Sequence, residues 1–398
     1  MVYPYQQQFE QELQQRKDNA LYRCRLLTES PSAPQMVVEG ERLLAFNSND
    51  YLGLANHPEL KKAFIAGAEK WGVGSGSAHL VTGHTAAHHQ LEEELADFTR
   101  RERALLFSSG YMANLAMVTA LTDKNDHLFE DRLNHASLID AGNLATARMH
   151  RYQHADITSL QRMLEPVEAG NSMILSDGVF SMDGDVAPLK ELSEVAQDNY
   201  ALLAVDDAHG FGVLGETGAG SIEQAGLSSQ QVPLLMGTLG KAMGCAGAFI
   251  AADEVIIETL IQQARSYIYT TAQPAAIAAA TSAALKLLET EAWRRVKLAS
   301  LVERFKQGAS QLGLPLMQSP TAIQPLLAGS TRQAITWAQQ LRQQGVLVTA
   351  IRPPTVPKDT ARLRITFSAA HTEEQVDRLL DALGQLKQNQ LNSEGAQA

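Results

Sequence analysis

The chain has 398 residues, 45% hydrophobic and 19% charged, which is enough for two or three domains, and its two cysteines exclude a disulfide framework. A net charge of −11 argues against a general nucleic-acid-binding protein, which needs an excess of basic residues. The sequence shows neither a signal-peptide pattern nor a run of about 18 apolar residues, so we expect a cytoplasmic protein without membrane spans.

Residues 1–46 are predicted to form a helix followed by a hairpin. Apolar residues recur at helical spacing between Phe9 and Leu27, and prolines at 31 and 34 end this pattern. The segment QMVVEGERLLAF then contains two short apolar runs on either side of Glu39 and Gly40. A turn at these two residues predicts a small β-hairpin.

Residues 47–280 are predicted to form a large α/β domain. Short apolar runs bounded by glycine, aspartate or serine alternate here with helical stretches, as in strands that are buried on both faces. Such alternation predicts a mostly parallel sheet. The runs are RALLFSSG, SMILSDG, ALLAVDDAHG, VPLLMGT and AGAFIAA.

Residues 281–398 are predicted to form a smaller α/β domain. An alanine-rich segment from Pro274 to Leu312 leads into it and predicts one long helix. A strand AIQPLLAG, a helix RQAITWAQQLRQQG, the strands VLVTAI and ARLRITF, and a closing helix from about Thr372 follow.

Ligands of parallel sheets bind beyond the carboxyl ends of the strands, and polar motifs follow the predicted strands at these points. In SSGYMAN a strand turns at Ser108–Gly110 and a helix opens at about Tyr111. The free N–H groups at such a helix start bind phosphate well. An ordinary strand–turn–helix connection explains this motif equally simply.

The motif DDAHG places Asp206 at the end of a buried strand and His209 three residues later. A carboxylate at such a position can hold a protonated ring nitrogen by a charge-assisted hydrogen bond. His209 can then contact a phenolic oxygen on the same ring. A capping aspartate and a structural histidine remain the alternative.

Lys241 lies among glycines and other small residues in GTLGKAMGCAG. Small neighbours let a ligand approach closely, and lysines of lowered pKa are the nucleophiles that form Schiff bases. Thr238 offers a hydroxyl to a phosphate, and His135, in NHAS, precedes a helix and can lie flat on an aromatic ring. A surface lysine and a locally bonded histidine are the alternatives.

Together and in this order, a phosphate-binding turn, a strand-end aspartate, a histidine and a lysine are the parts that hold pyridoxal phosphate. From about residue 10 to about residue 385 the sequence resembles the α-oxoamine synthases, which are fold-type-I pyridoxal-phosphate transferases. The resemblance implies an aspartate-aminotransferase-like fold, in which a large domain with a mostly parallel sheet joins a smaller C-terminal α/β domain. The matching motifs are FNSNDYLGL, GSGSAHLVTG, SSGYMAN, NHAS, GVFSMDGD, DDAHGFGVLG and GTLGKAMG.

The resemblance also implies roles for individual residues. Lys241 is the lysine that binds the cofactor's aldehyde, Asp206 holds the pyridine nitrogen, His209 lies near the ring hydroxyl, and His135 stacks on the ring. The other implied cofactor ligands are Gly110, Tyr111, Ser181, Thr238 and, from the neighbouring subunit of an obligatory homodimer, Thr271. The implied substrate ligands are Arg23, Asn49, His135, Thr355 and Arg364, with Arg25 an open alternative to Arg23 and the roles of Ser77 and His79 left open.

The stretch TAIRPPTVPKDTARLRIT is most similar to the biotin-pathway branch of this family. That resemblance implies the decarboxylative condensation of L-alanine with pimeloyl-CoA or a pimeloyl-acyl-carrier protein. Lys241 then takes the α-proton, Asp206 keeps the cofactor ring protonated, and His135 assists at the acyl carbonyl. The alternative is a sister activity that joins glycine or serine to another acyl-CoA, as in aminoketobutyrate formation.

Two further patterns point to other classes of protein. The glycines of Gly210–Gly215 follow a strand and match a dinucleotide-binding pattern, but a poor helix sequence comes next, so an NAD-dependent oxidoreductase is a distant alternative. His84, His88 and Glu92 share one helix face, as zinc ligands do. The general-base glutamate of a metalloprotease is absent, so we expect a solvated helix face and no metal.

Overall fold

The computed structural model describes residues 3–395, with side chains to residue 389, and its contacts divide the chain into two compact units. The smaller unit comprises the residues up to Asn49, Met182–Gly184 and the residues from Leu298 onward. The larger unit comprises Asp50–Ser181 and Asp185–Lys297. The outermost residues of the predicted segments 1–46 and 281–398 lie outside the described residues, and the division at 46 and 280 stays a prediction.

Strands and helices alternate along most of the described chain. The strands are β1 (Gln35–Val38), β2 (Glu41–Ala45), β3 (Arg103–Phe107), β4 (His127–Asp131), β5 (Arg148–Tyr152), β6 (Ser172–Asp177), β7 (Leu202–Asp206), β8 (Leu234–Thr238), β9 (Ala248–Ala252), β10 (Ile323–Gly329), β11 (Val346–Leu347), β12 (Thr349–Ile351) and β13 (Ala361–Thr366). The helices are α1 (Pro4–Asp18), α2 (Pro58–Trp71), α3 (Ala86–Thr99), α4 (Gly110–Leu121), α5 (Ala136–Leu144), α6 (Ile157–Leu164), α7 (Leu189–Asp198), α8 (Ser221–Gln224), α9 (Glu254–Gln263), α10 (Arg265–Ile268), α11 (Ala275–Thr290), α12 (Trp293–Gln311), α13 (Thr331–Gln343) and α14 (Glu373–Gly395). Among the residues described, each helix is too short or too polar to span a bilayer.

The larger unit contains a seven-stranded sheet with the order β3-β9-β8-β7-β6-β4-β5. Six strands run parallel, and β9 is antiparallel to both of its neighbours. The predicted mostly parallel sheet is therefore confirmed. The carboxyl ends of β3, β6, β7 and β8 meet at one edge, which is where the polar motifs follow.

Sequence analysis missed β4 and β5, whose sequences HLFED and RMHRY contain many charged residues and histidines. Their pairing in the sheet overrides this weak local pattern, because β4 aligns with both β5 and β6. β-propensity depends strongly on such neighbours.

The core beneath the strand ends is apolar and densely packed. The α4 residues Ala113, Ala116, Met117 and Val118 are fully buried and pack in one core cluster with strand residues such as Leu105. Burial of one large aliphatic side chain stabilises a fold by about 1.5–3 kcal/mol. The start of α4 is thereby held in place beside the carboxyl edge of the sheet.

The predicted alanine-rich helix is two helices, α11 and α12, so this prediction was wrong in its extent. The chain leaves helical geometry at Glu291, and the Glu291 carboxylate accepts a hydrogen bond from Arg294 Nε at 2.6 Å. Arg294 Nη1 also donates to the Leu52 carbonyl at 3.0 Å. A distant carbonyl thus stabilises a break that has no local proline or glycine signal.

The predicted helix from Phe9 to Leu27 was also wrong in its extent, since α1 ends at Asp18. Ala20 has a left-handed φ of 57°, which ends the helix. The Arg352 guanidinium then donates to the carbonyls of Ala20 and Tyr22, and these contacts hold the chain extended.

The smaller unit contains two three-stranded sheets, ordered β1-β2-β11 and β10-β13-β12. The predicted hairpin is confirmed, with Glu39 and Gly40 at φ 52° and 79° in its turn. The predicted single strand VLVTAI is instead split, because β11 pairs with β2 and β12 pairs with β13. Val348 separates the two pieces.

Candidate active site

A cavity of about 190 Å³ lies at the carboxyl edge of the seven-stranded sheet. It is lined by side chains and backbone that follow β3, β4, β6, β7 and β8. The lining residues are Gly110, Tyr111, His135, Ser137, Asp177, Val179, Asp206, Ala208, His209, Met236, Thr238 and Lys241. The predicted cofactor ligands among them are Gly110, Tyr111, His135, Asp206, His209, Thr238 and Lys241.

Asp206 ends β7 and is only 4% exposed. Its Oδ1 accepts a hydrogen bond from Ala208 N at 3.0 Å, and its Oδ2 accepts one from Asn114 Nδ2 at 2.7 Å. A carboxylate oxygen has two lone pairs, so both oxygens can accept a further donor from the cavity. Asp206 is therefore held rigidly and keeps acceptor capacity.

Asn114 links Asp206 to His135 through one serine. Asn114 Nδ2 also donates to Ser137 Oγ at 2.8 Å, which leaves the serine proton free to point at His135 Nδ1, 2.7 Å away. The Ser137 backbone N–H points at the same ring nitrogen at 3.3 Å. His135 Nδ1 is thus an acceptor, and the neutral ring carries its proton on Nε2.

The charge state of His135 agrees with this tautomer. Burial lowers the pKa of His135, and the nearby Lys241 charge lowers it further, whereas Asp206 acts in the opposite direction. A neutral imidazole can donate a hydrogen bond from Nε2 to a ligand in the cavity without carrying charge.

Asp177 ends β6 directly beside Asp206, its partner in the strand register. Its carboxyl oxygens accept from the His135 backbone N–H at 3.1 and 3.3 Å. Burial raises the pKa of Asp177 well above its usual value, and the Asp206 charge raises it further. Two buried carboxyl groups on adjacent strands resist being charged together, so the proton resides on Asp177.

Lys241 Nζ lies 2.8 Å from His209 Nε2, and His209 Nδ1 lies 2.7 Å from the Tyr51 hydroxyl. An ammonium group can only donate, so a charged Lys241 requires Nε2 to accept. His209 Nδ1 then carries the proton and donates to the Tyr51 oxygen. The three side chains form one hydrogen-bonded row that ends in the cavity.

The turn between β8 and β9 places Lys241. Thr238 Oγ1 donates to the Gly247 carbonyl at 3.2 Å, and Gly244 N donates to the Lys241 carbonyl at 2.9 Å. Gly244 has a left-handed φ of 65°, and a Cβ there would lie 2.4 Å from Ala55 N. The small residues around Lys241 are therefore required by close backbone packing as well as by access to the amine.

The start of α4 also lines the cavity, through Gly110 and Tyr111. Ser109 caps the helix by accepting from Met112 N at 3.3 Å, which leaves earlier N–H groups available to an anion. The Tyr111 hydroxyl donates to the Asp140 carboxylate, and this hydrogen bond raises the pKa of Tyr111. Tyr111 is half-exposed beside the helix start.

Two predicted cofactor ligands, Ser181 and Thr271, do not line this cavity. Thr271 pairs with Ala78 in an isolated β-bridge, and Ser75 Oγ donates to the nearby Gln273 carbonyl at 2.6 Å. Thr271 was predicted to serve the neighbouring subunit, so its place outside this chain's cavity leaves that prediction open.

The remaining predicted substrate ligands lie in the smaller unit as two pairs. Arg364 Nη1 donates to Asn49 Oδ1 at 3.1 Å, and Arg23 Nη2 donates to Thr355 Oγ1 at 3.4 Å. Arg364 is buried on β13, whereas Arg23 and Arg25 are exposed. The contact with Thr355, another predicted substrate ligand, favours Arg23 over Arg25 as the arginine of the predicted substrate site.

Sequence analysis missed Tyr51, Asn114, Ser137 and Asp177 as site residues. Three of them stand within or beside motifs that the sequence did single out: Tyr51 in FNSNDYLGL, Asn114 in SSGYMAN and Ser137 in NHAS. Asp177 ends an apolar run in the same way as Asp206. The signal was present, but which strand ends are neighbours is not visible in the sequence.

The structure also tests the two other patterns. Gly210–Gly215 lies in consecutive turns, and the next described helix along the chain is the four-residue α8, so the loop does not lead directly into a helix as the dinucleotide-binding pattern requires. The dinucleotide-binding alternative therefore lacks its phosphate site. The predicted solvated face of α3 was wrong for His88, which is fully buried and bonded to the Gln273 carbonyl.

Comparison with known proteins gives consistent matches. The family model for aminotransferases of class I and II matches residues 41–383. An 8-amino-7-oxononanoate synthase of Thioalkalivibrio sulfidiphilus is 61% identical over 94% of this chain and 95% of that relative.

Solved structures agree in fold. A serine palmitoyltransferase with pyridoxal phosphate superposes with a TM-score of 0.90 at 28% identity, over 95% of this chain and 96% of that one. An 8-amino-7-oxononanoate synthase of Francisella tularensis superposes with a TM-score of 0.77 at 34% identity, over 88% of this chain and 99% of that one.

Proposed function

Because this chain belongs to the aminotransferase class I and II family, and within it to the 8-amino-7-oxononanoate synthases, we propose that it condenses L-alanine with a pimeloyl thioester. It is a pyridoxal-phosphate-dependent α-oxoamine synthase of biotin biosynthesis. The products of the proposed reaction are 8-amino-7-oxononanoate, CO₂ and the free thiol of CoA or of an acyl-carrier protein.

The residues around the cavity fit pyridoxal phosphate. A buried carboxylate with spare acceptor capacity, an amine and a capped helix start line the same space, as the ring nitrogen, the aldehyde and the phosphate of that cofactor require. Bound there, the cofactor supplies a sink for the electrons released at the substrate's Cα. Asp206 would hold the ring nitrogen, His209 the ring hydroxyl and Lys241 the aldehyde, and His135 would cover the ring.

Backbone N–H and side-chain hydroxyl groups are proposed to bind the phosphate of the cofactor. Gly110 and Tyr111 would donate backbone N–H groups at the start of α4, and Thr238 would add its hydroxyl. Ser181 and the Thr271 of a second copy complete this proposed set. A homodimer with shared sites is part of the proposal.

The proton transfers fall to residues of this chain. The Lys241 amine takes the α-proton of L-alanine, and its 2.8 Å contact with His209 keeps Nζ in position for this transfer. His135 donates from Nε2 to the carbonyl of the acyl thioester, where negative charge develops as the new C–C bond forms. The thiol carrier then leaves, the carboxylate departs as CO₂, and a proton returns to the carbon that lost it, which gives the product.

Substrate recognition is proposed for the smaller unit. The Arg364 guanidinium matches the two oxygens of the alanine carboxylate, and Asn49 orients that guanidinium through the 3.1 Å hydrogen bond. Arg23 and Thr355 are proposed to contact the acyl substrate, whose free carboxylate distinguishes a pimeloyl group from a plain fatty acyl group. His135 serves both substrates.

One observation supports the proposal most strongly. Asp206, a carboxylate at the end of β7, and Lys241, an amine just after β8, line a single cavity with His135 and His209. A cofactor that is cationic at its ring nitrogen and electrophilic at its aldehyde uses both groups. The 61% identity over 94% of the chain adds the substrate class.

A product assay tests the proposal. The purified protein, loaded with pyridoxal phosphate, is offered L-alanine, glycine or L-serine against pimeloyl-CoA, acetyl-CoA and palmitoyl-CoA, and products are identified by mass spectrometry. We expect turnover to be highest with L-alanine and pimeloyl-CoA. Faster turnover of glycine with acetyl-CoA, or of serine with palmitoyl-CoA, would replace the substrate assignment and leave the cofactor assignment intact.

A Lys241→Ala variant is the control for the chemistry. We expect this variant to lose the visible absorbance of the bound cofactor's linkage to the protein, and all turnover. Lys190→Ala, which changes an exposed lysine on α7, should keep both. Turnover that survives in Lys241→Ala would contradict the role of this amine.

A further inference from the structure

Three histidines outside the cavity come together from two segments of the larger unit. His79 begins a single wide turn, His79–Gly83, whereas His84 and His88 lie just before and on α3. One nitrogen from each of the three rings lies within 4.8 Å of the others. We propose that His79, His84 and His88 bind a transition-metal ion of the zinc class.

His88 is held in the tautomer that a metal ligand at Nδ1 requires. Its Nε2 lies 2.8 Å from the Gln273 carbonyl, so this nitrogen carries the proton and donates. Its Nδ1 therefore has the lone pair, which accepts from Thr85 N at 3.1 Å, and a bound metal would replace this hydrogen bond. Metal-binding histidines commonly donate their other N–H to a backbone carbonyl, which sets the tautomer in this way.

His79 and His84 contact each other directly. Their Nδ1 atoms lie 3.0 Å apart, so one ring donates a hydrogen bond to the other. A neutral imidazole has one nitrogen lone pair, so a metal ion that replaces this hydrogen bond can bind both rings. Stacking on Tyr267, with ring planes 14° apart, holds the His79 ring in this orientation.

The distances suit zinc. Zinc–nitrogen bonds of about 2.0–2.1 Å place two ligand nitrogens of a tetrahedral site about 3.3 Å apart. The 3.0 Å contact is already close to that value, and the widest separation of 4.8 Å closes if one ring moves by about 1.5 Å. Imidazole ligands favour zinc, copper, nickel and cobalt over magnesium or calcium.

Glu92 lies next to the site. Its Oε2 lies 3.8 Å from His84 Nε2, on the far side of the ring from His79. At that distance the two groups do not form a hydrogen bond, so the three imidazoles alone are the proposed ligands. Of the helix pattern His84, His88 and Glu92, the two histidines are therefore proposed ligands. His79, from the preceding turn, is the third.

Zinc titration of the holoenzyme tests the proposal. The protein is produced without a histidine tag, treated with a chelator, and titrated with ZnCl₂ or MgCl₂ by calorimetry in the wild type and in His79→Gln, His84→Gln and His89→Gln. We expect one zinc per chain and no magnesium binding. His79→Gln and His84→Gln should each weaken zinc binding by more than about 100-fold, which is the upper end of what loss of a supporting contact costs.

His89→Gln is the matched control, because His84, His89 and Glu92 form a second possible cluster on the same helix. Unchanged affinity in His89→Gln supports the proposed site, whereas weakened binding there with full binding in His79→Gln would overturn it. Absence of zinc binding by a folded wild type would overturn it too. Zinc-edge X-ray absorption should count three imidazole ligands at about 2.0 Å, and metal-free melting curves exclude misfolded variants.

Discussion

At the scale of single residues, hydrogen bonds determine which ring nitrogen of His135 and of His209 carries the proton. Ser137 sets the tautomer of His135, and the row Tyr51–His209–Lys241 sets that of His209. Each of these groups is held by a neighbour that touches no reacting atom. Tyr51 and Ser137 are therefore positioning residues for the proposed chemistry.

Tyr51→Phe is expected to lower kcat about 10-fold with little change in KM for alanine. The variant keeps the buried ring but removes the oxygen that His209 Nδ1 contacts at 2.7 Å. A net hydrogen bond contributes about 1–1.5 kcal/mol, and 1.4 kcal/mol corresponds to a factor of ten in rate. Steady-state kinetics and the pH profile of kcat measure the effect.

Tyr200→Phe is the control for this prediction, since Tyr200 is 96% exposed. It should leave both kinetic constants unchanged. A kcat for Tyr51→Phe within twofold of the wild-type value, with an unshifted pH profile, would show that the tyrosine does not position His209.

Sequence analysis singled out Asp206 and Lys241 but not the residues that hold the site in place. Asp206 and Lys241 stand next to strand-length apolar runs, so a local pattern locates them. Asn114 touches Asp206 across 92 positions of the chain, and Tyr51 touches His209 across 158. Contacts at such separations depend on which strands become neighbours.

At the scale of elements, the β8–β9 pair carries the lysine. The two strands are antiparallel, with Gly237 opposite Phe249 in their register. A Cβ at Gly237 would lie 2.4 Å from the Phe249 ring, which is fully buried and packs on Phe211. This glycine lets β8 approach its neighbour closely just before the turn that holds Lys241.

Gly237→Ala is expected to destabilise the protein by about 1–3 kcal/mol, because overpacking shifts a buried aromatic ring or the strand itself. Urea unfolding measures the change. Gly74→Ala is the control, since a Cβ there meets no atom within 4 Å, and its effect should stay within about 0.5 kcal/mol. Equal stability of the two variants would contradict the packing argument.

The elements that sequence analysis placed wrongly share a cause. The break between α11 and α12, the early end of α1 and the split of VLVTAI all depend on partners from elsewhere in the chain. Arg294 bonds to Leu52, and Arg352 bonds to Ala20. Sequence periodicity contains no information about such distant partners. A prediction based on it therefore places the end of an element too far along the chain.

At the scale of the whole molecule, buried ionisable groups set the pH dependence of stability. Burial raises the pKa of Glu92 and of Glu130 to about 8 and that of Asp207 to about 7. The carboxylates of Asp131 and Asp185, against the cost of burial, raise the pKa of His154 to about 9.

We expect the free energy of unfolding to fall as pH rises from 7 to 9, by at least about 1 kcal/mol. The buried glutamates are protonated in the folded state but already charged in the unfolded state at pH 7. The free energy of unfolding therefore falls with rising pH until the folded-state pKa of about 8 is passed. His154 contributes stability that is complete below about 6.5 and is lost up to about 9. Urea unfolding in chelator at several pH values measures the slope.

Glu130→Gln should flatten this slope between pH 7 and 8. Both Glu130 oxygens are buried without a hydrogen-bond partner among the described residues, so an uncharged amide of the same size avoids the cost of ionisation. Glu168→Gln changes an exposed glutamate and should leave the slope as it is. An identical slope in wild type and Glu130→Gln would contradict the role of this carboxyl group.

The sequence by itself predicted the parallel sheet and the hairpin, which the structure confirms, and it singled out Asp206, His209, His135 and Lys241, which line one cavity. These features can be found from the sequence because strand-length apolar runs and the motifs that follow them are local patterns. Only the tertiary structure decided the strand order, which put Asp177 beside Asp206, and the contacts of Asn114 and Tyr51. The structure also showed the turn His79–Gly83, which brings His79 to His84 and His88 and which helical spacing alone did not reveal.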